Sequence, residues 1–341
     1  RFRREIGIQL AVASYYGAAT VEEAYRLGDI ARSLQPDSLL TEAATRFEAA
    51  GDDRDLASAL TDLALLAWLE GDAGGMAASA ERALAAAARS EDPRAIHEAA
   101  PLLATALHRG PTPLPEVLAR VEAVRERPGT DRLTKEILRL TESLVLAQLG
   151  RGAEAREILE AARVSFGDLG QRRWLAVTDE IEAEIERLDG HLTRAIALQR
   201  DVHAFFSGQG DALNALPAAA GLANLLLAAG DLDEAGRLVA EIERRDTGED
   251  LEIRVSWMVV RAVGAAAAGD RILASELTEQ VLSLVDGTDF LLQQADARAS
   301  LAGAATDPVL AERLRAEALA RYDEKGAVAL ATELRSAGAA P

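Results

Sequence analysis

The sequence predicts an all-α chain, a right-handed superhelical solenoid of antiparallel helix pairs, on three observations: evenly spaced glycines, apolar residues at helical spacing between them, and a helix-forming composition. Gly71, Gly110, Gly150, Gly190, Gly230 and Gly269 follow one another at intervals of 39 or 40 residues. Gly129, Gly170, Gly210, Gly248 and Gly287 form a second series at intervals of 38 to 41, offset by half a period. Two interleaved series mark two turns per repeat of about 40 residues. A fixed period in this range indicates stacked repeats rather than a chain folded around one central core.

Before Gly71, apolar periodicity predicts helices over Ile6–Ala19, Val21–Leu34, Ser38–Ala50 and Asp55–Glu70, with a turn at Gly51-Asp52. Beyond it, each repeat reads as a hairpin, as in Leu138, Leu144, Val145 and Leu149 followed by Ala155, Ile158, Leu159 and Ala162. Glycine supplies the left-handed residue that ends the first helix, and Asp72, Asp231 and Asp270 stand where they can cap the next. The fifth residue after the hairpin glycine is Ala in four consecutive repeats (Ala155, Ala195, Ala235, Ala274), and the eighth is Ile158, Leu198, Leu238 or Leu277. A small residue lets two helix axes approach, and the aliphatic one turn later fills the space between layers. Two repeats depart from this rule. Met76 takes the fifth place after Gly71, and the prolines of Arg109–Pro115 delay the second helix to near Pro115. Helices over 290–305 and 308–322 and a short one to about Arg335 complete a single array over 1–335, less regular before about residue 70, with 336–341 as a frayed tail.

Hydrophobic residues make up 49% of the 341 residues but aromatics only 4%, and the Ala, Leu, Glu and Arg content favours packed helices over sheets. The absence of cysteine excludes disulfides, thiolate metal sites and cysteine nucleophiles, and favours a cytoplasmic location. A net charge of −19 opposes direct binding to nucleic acid or an anionic membrane. The uncharged stretch Ala212–Gly230 is long enough to span a bilayer, but Asn214, Pro217, Asn224 and many small residues make it a buried helix instead. Lys135 and Lys325 are the only lysines, and this Arg, Ala and Gly bias suggests a bacterial genome rich in G and C. The opening Arg1-Phe2-Arg3-Arg4, with no signal segment after it, reads as part of a longer polypeptide.

The Ala-and-aliphatic rule is the packing logic of tetratricopeptide-type pairs, in a longer and degenerate variety. Several stretches carry a more specific resemblance: Gly110-Pro111-Thr112-Pro113 with Glu116–Arg120, Leu169-Gly170 with Trp174-Leu175-Ala176, Ser256-Trp257, Thr288–Leu291 with Ala295-Asp296-Ala297, and Arg321–Gly326. Together they resemble the C-terminal repeat region of bacterial multidomain regulators that join a nucleotide cyclase, a P-loop ATPase and a helical array, a group whose arrays resemble those of large maltose-regulator-like transcription activators. In that family Tyr-Glu-x-Lys-Gly-Asn is common near the C-terminus, and here Asp323 and Ala327 replace its Glu and Asn. The resemblance covers about residues 40 to 335. It implies a sensor or docking arm that biases ATPase and cyclase domains lying upstream.

No P-loop, dinucleotide fingerprint or nucleophile-elbow motif occurs, and Gly150-Arg151-Gly152 sits in a turn that already needs glycine. His97, His108, His191 and His203 never take ligand spacing on one helix face. The acidic run Asp179, Glu180, Glu182, Glu184, Glu186 reads as a solvated helix face, and Trp68, Trp174, Trp257 and Phe205-Phe206 read as packing anchors. No catalytic, cofactor or metal site is expected, and the chain is expected not to be an enzyme. Arg254, Trp257 and Arg261 share one helix side at +3 and +4 spacing and form the candidate partner contact. The functional expectation is a protein-interaction or effector-sensing module that takes a protein or peptide segment, or a small effector, on its concave surface. The alternatives are a free-standing adaptor, or the sensor part of a transcription activator whose DNA-binding domain lies outside the chain.

Overall fold

The computed structural model describes residues 36–245, 250–305 and 307–338. Among these are sixteen helices and no strand: α1 Pro36–Ala50, α2 Asp53–Glu70, α3 Ala73–Arg89, α4 Pro93–Arg109, α5 Leu114–Arg125, α6 Arg132–Gln148, α7 Gly152–Asp168, α8 Arg172–Leu188, α9 Leu192–Gly208, α10 Ala212–Ala228, α11 Leu232–Arg245, α12 Leu251–Ala267, α13 Arg271–Asp286, α14 Leu291–Ala304, α15 Pro308–Lys325 and α16 Val328–Gly338. The helices expected over 6–19 and 21–34, Gly248, and residues 339–341 lie outside the described residues. The last helix runs on to Gly338, past the expected end near Arg335.

Consecutive helices pair antiparallel into tetratricopeptide-like hairpins. From α2 to α14 each even-numbered helix, besides pairing with its odd-numbered neighbours, packs on the next even-numbered one except α8 on α10, so the even-numbered helices form an inner layer with the odd-numbered ones outside. The inter-helix turns follow the glycine series. Gly71, Gly150, Gly190, Gly230 and Gly269 all have positive φ, and the residue after each donates its N–H to a carbonyl five residues back, as from Asp72 to Ala67 (2.9 Å) and His191 to Glu186 (2.8 Å). The expected caps form, with the Asp72, Asp231 and Asp270 carboxylates accepting from the N–H groups of Gly75 (2.7 Å), Glu234 (3.0 Å) and Leu273 (3.1 Å). Ala155, Ala195 and Ala235 are fully buried where outer helices cross the inner layer.

Two glycines break the left-handed pattern. Gly110 is extended (φ −77°, ψ −167°) because Pro111 restricts the residue before it, and α5 starts late, with Pro115 in its first turn. Gly287 has φ −78°. There Val285 O accepts both the N–H (3.2 Å) and the hydroxyl (2.8 Å) of Thr288, which ends α13 without a left-handed residue.

The C-terminal helices of the array fold back onto its N-terminal half among the described residues. The Asp289 carboxylate accepts from the N–H groups of Ala73 (2.5 Å) and Gly74 (2.8 Å), 216 and 215 residues away, and its own N–H donates to Gly71 O (3.2 Å). Phe290 packs on Trp68 with ring centroids 5.0 Å apart. The fully buried Lys325 amine donates to the carbonyls of Leu107 (2.9 Å) in the last turn of α4 and of Gly110 (2.5 Å) and Thr112 (2.7 Å) in the proline-rich loop after it, where no helical N–H follows. Leu292, Ala295, Tyr322, Ala327, Leu330 and Ala331 join the apolar core of α2–α6, so one core runs across the closure. Most of the stretches that carry the sequence resemblance, from Gly110–Pro113 to Thr288–Leu291 and Arg321–Gly326, therefore meet at this junction.

Candidate functional site: the axial channel

Closing the turn brings the inner helices α4, α8, α12 and α14 together around Arg109, and their free faces form the concave channel side of the array. An inner helix is covered on both flanks by its neighbours and on its back by the outer layer, so one narrow strip of each is left free. On α10 that strip is Pro217, Gly221 and Asn224. The Asn224 side-chain amide donates to Ser256 Oγ of α12 (2.8 Å), which places Ser256 and Glu252, one turn apart, on the same lining.

The charges of the channel gather around Arg109 at the end of α4. Arg109 pairs with Glu252 at 3.2 Å, both side chains about one-third exposed or less, and its charge also acts on Glu180 of α8 and Asp296 of α14. Protein crowding raises the pKa of Glu180 and of Glu252, in each case against the pull of Arg109. Asp296 is open to water in the channel, yet the protein around it pushes its carboxyl up to about 6 although Tyr322 donates a hydrogen bond to it (2.6 Å). The same burial, with Asp296 adjacent, holds the Tyr322 phenol well above its usual range. Arg187, whose charge also pulls on Asp296, is gripped by Glu184 (2.8 Å twice) and by Glu333 of α16 (2.7 and 2.8 Å).

Gln199 reaches in from the outer helix α9, buried, with its Nε2 donating to Ala218 O (3.1 Å) and its amide bonding Glu180. Gly221 makes that reach possible, since a Cβ there would lie 2.8 Å from Gln199 Nε2. Nearer the N-terminal end of the channel, burial and then the neighbouring Glu98 raise Asp62 to about 7, and burial raises Glu98 as well.

The acidic run on α8 is not the solvated face its composition suggested. Asp179 and Glu182 pair with Arg163 of α7, Glu186 with Arg156 and His191, and Glu180 and Glu184 line the channel. An inner helix has covered flanks, and a dense charge run cannot announce that from sequence. Arg254, Trp257 and Arg261 do share one side of α12, as their spacing requires, but that side turns toward α11. Trp257 packs between α10 and α11, and Arg261 pairs with Glu243 at a groove of about 370 Å³ lined by Gly236, Ala240, Gly264 and Ala265. Trp68 and Trp174 pack on Phe290 and Phe166. His97, His108 and His191 bond Thr134, Gln148 and Glu186 in separate places. Burial beside Arg109 drives His108 down to about 3, so it is neutral. Among the described residues no three His, Asp or Glu side chains converge on a metal position, and no helix is long and apolar enough to cross a membrane.

No protein-family model and no curated protein sequence matches the chain. A solved structure does: a Rap protein complexed with competence and sporulation factor superposes with a TM-score of 0.58 over 98% of this chain and 98% of that one, at 11% identity. The likeness covers the whole array, and it identifies the architecture as a tetratricopeptide-like helical repeat solenoid.

Proposed function

We propose that the chain is a non-catalytic receptor module that takes an extended peptide or protein segment in its axial channel. We further propose that it is the cytoplasmic regulatory arm of a larger bacterial signalling protein with P-loop ATPase and cyclase domains upstream. The observation that supports this reading is the gathering of Glu180, Glu252 and Asp296 around Arg109 on the inner helices, with the amide of Asn224 bonded to Ser256 of α12. The similar Rap protein was solved complexed with competence and sporulation factor, which supports a binding role for an array of this shape. Tyr322 supports coupling to the rest of the molecule. Its hydroxyl holds Asp296 in the channel, and three residues later Lys325 holds the closure, so a ligand at Asp296 acts on the helix that carries the junction. The groove beside Arg261, one turn from Trp257, is a secondary contact in this reading.

The test is a random-peptide selection on the immobilised chain, repeated on Ser256→Trp, which fills the lumen. Peptides that lose at least tenfold in affinity for the variant support the reading, and peptides that bind both equally overturn it. Reading the frame upstream of the codon for Arg1 tests the second part, because a start codon there would make the chain a free-standing adaptor.

A further inference from the structure

We propose that α16 is a strap that opens about Gly326 while the rest of the junction stays shut, with the Arg187–Glu333 pair as its catch. The first observation is how unevenly the C-terminal helices are held. Lys325 is buried on three carbonyls and Tyr322 is buried on Asp296, which fixes α15. Past Gly326, whose φ of +75° ends that helix, the hold is slight. Among the described side chains of α16, Leu330 and Ala331 are buried and Leu334 packs partly on the same core, while Val328 is more than half exposed. Among the described residues one ion pair joins α16 to the repeats, from Arg187 to the half-exposed Glu333. A second, from Arg335 to Asp323, ties it to α15 with both side chains half exposed. Exposed pairs add little to stability.

The second observation is the space beneath α16. A cavity of about 480 Å³ lies between it and the turns of the rim, lined by Gly150, Leu188 and Gly190 on one side and by Val328, Thr332 and Ser336 on the other. Close packing is what makes a helix contact resist opening, and along this side it is missing. A helix of 11 residues is not stable alone in water, so a strap that lets go also loses its helix.

The third observation ties the strap to the concave face. Arg187 divides its guanidinium, with Nε and Nη2 on Glu184 (2.8 Å each) and Nη1 on both oxygens of Glu333 (2.8 and 2.7 Å). The Glu184 bonds lie within α8 and survive any movement of α16. The charge of Arg187 also acts on Asp296, and Glu333 acts on Tyr322, which holds Asp296. Glu333 and Asp296 therefore compete for one guanidinium. Opening the strap leaves that guanidinium to Asp296, and by linkage a change of charge at Asp296 alters the hold on the strap.

Native-state hydrogen exchange at pH 7 tests the device. The reading is the opening rate constant ratio of the α16 amides of Leu334, Arg335 and Ser336 to the junction amides of Ala73, Gly74 and Asp289, after correction for intrinsic exchange. The ratio should be roughly tenfold or more in the wild type and rise about threefold further in Glu333→Gln. In Asp296→Asn, where the competitor for Arg187 is gone and Tyr322 keeps an acceptor, it should fall about twofold. Glu324→Gln, exposed on α15 and outside the catch, should leave it unchanged. A ratio near one in the wild type, or one that Glu333→Gln moves no more than Glu324→Gln does, makes α16 a fixed part of the closure and overturns the proposal. A ratio that rises in Glu333→Gln without falling in Asp296→Asn marks an end that frays independently of the concave face, and overturns it as well.

Discussion

Replacing Lys325 by Met keeps most of the aliphatic stem in place and removes the ammonium that joins the ends of the array. The three carbonyls it serves, Leu107, Gly110 and Thr112, lie 2.5 to 2.9 Å from Nζ, and the Lys325 side chain is fully buried. Each carbonyl left without a donor costs roughly 1 kcal/mol, at the low end because water can enter an opened rim. The sum is about 3 kcal/mol, or roughly a hundredfold in the ratio of closed to open molecules. Closure can be read at three amides whose partners lie across the junction, Ala73 and Gly74 on the Asp289 carboxylate and Asp289 on Gly71 O. Native-state hydrogen exchange should show these three amides exchanging roughly a hundredfold faster in Lys325→Met, with Asp55, capped locally by Asp52, unchanged. Unchanged protection at the three junction amides would refute the assignment of Lys325 as the element that holds the turn closed.

Three further outcomes follow from the same geometry. Gly71→Ala should cost more than Gly190→Ala in thermal melts. Both residues have positive φ, which costs about 1 kcal/mol for Ala, but only at Gly71 would the new Cβ lie 2.5 Å from Thr288 Cγ2, so equal losses would contradict the close approach. Asp62→Asn should stabilise the chain at pH 8 and leave it unchanged at pH 4. Because the folded carboxyl titrates near 7 rather than 3.8, the unfolded chain loses its proton first and stability falls as pH rises between those values. Screening by channel water keeps the gain to about 1–2 kcal/mol, and denaturant titrations at the two pH values would show it. Ala235→Leu, at a fully buried helix crossing, should destabilise by about 1–3 kcal/mol through overpacking, and a neutral melt would show that the crossing is loose.

The hairpin period, the Asp caps, the small residue at each crossing and the late start of α5 were all legible in the sequence, because each is set by residues within one repeat. The closure was not. Asp289 and Lys325 match partners more than 200 positions away, and no local periodicity encodes how many repeats complete a superhelical turn. The family resemblance marked these residues as a recurring pattern without giving their role. The channel lining was hidden for a related reason. The 3.6-residue period says that Glu180 and Glu184 share a face, but it cannot say whether that face meets bulk water or an enclosed lumen. For Arg254, Trp257 and Arg261 the spacing gives a shared side of α12, while where Trp257 and Arg261 point depends on which flank of α12 the outer helix α11 covers.

The central claim is that the C-terminal helices fold back and close onto the α2–α5 region, and a chain without cysteine allows it to be tested directly. A Cβ on Gly74 would lie 3.3 Å from Asp289 Oδ2, so Gly74→Cys and Asp289→Cys bring two thiols face to face across the junction. Mild oxidation of the folded double variant should cross-link it within the chain, giving a reduction-sensitive gel shift from a loop of about 215 residues. A folded variant that keeps both thiols free, or links only between molecules, would contradict the closed superhelix.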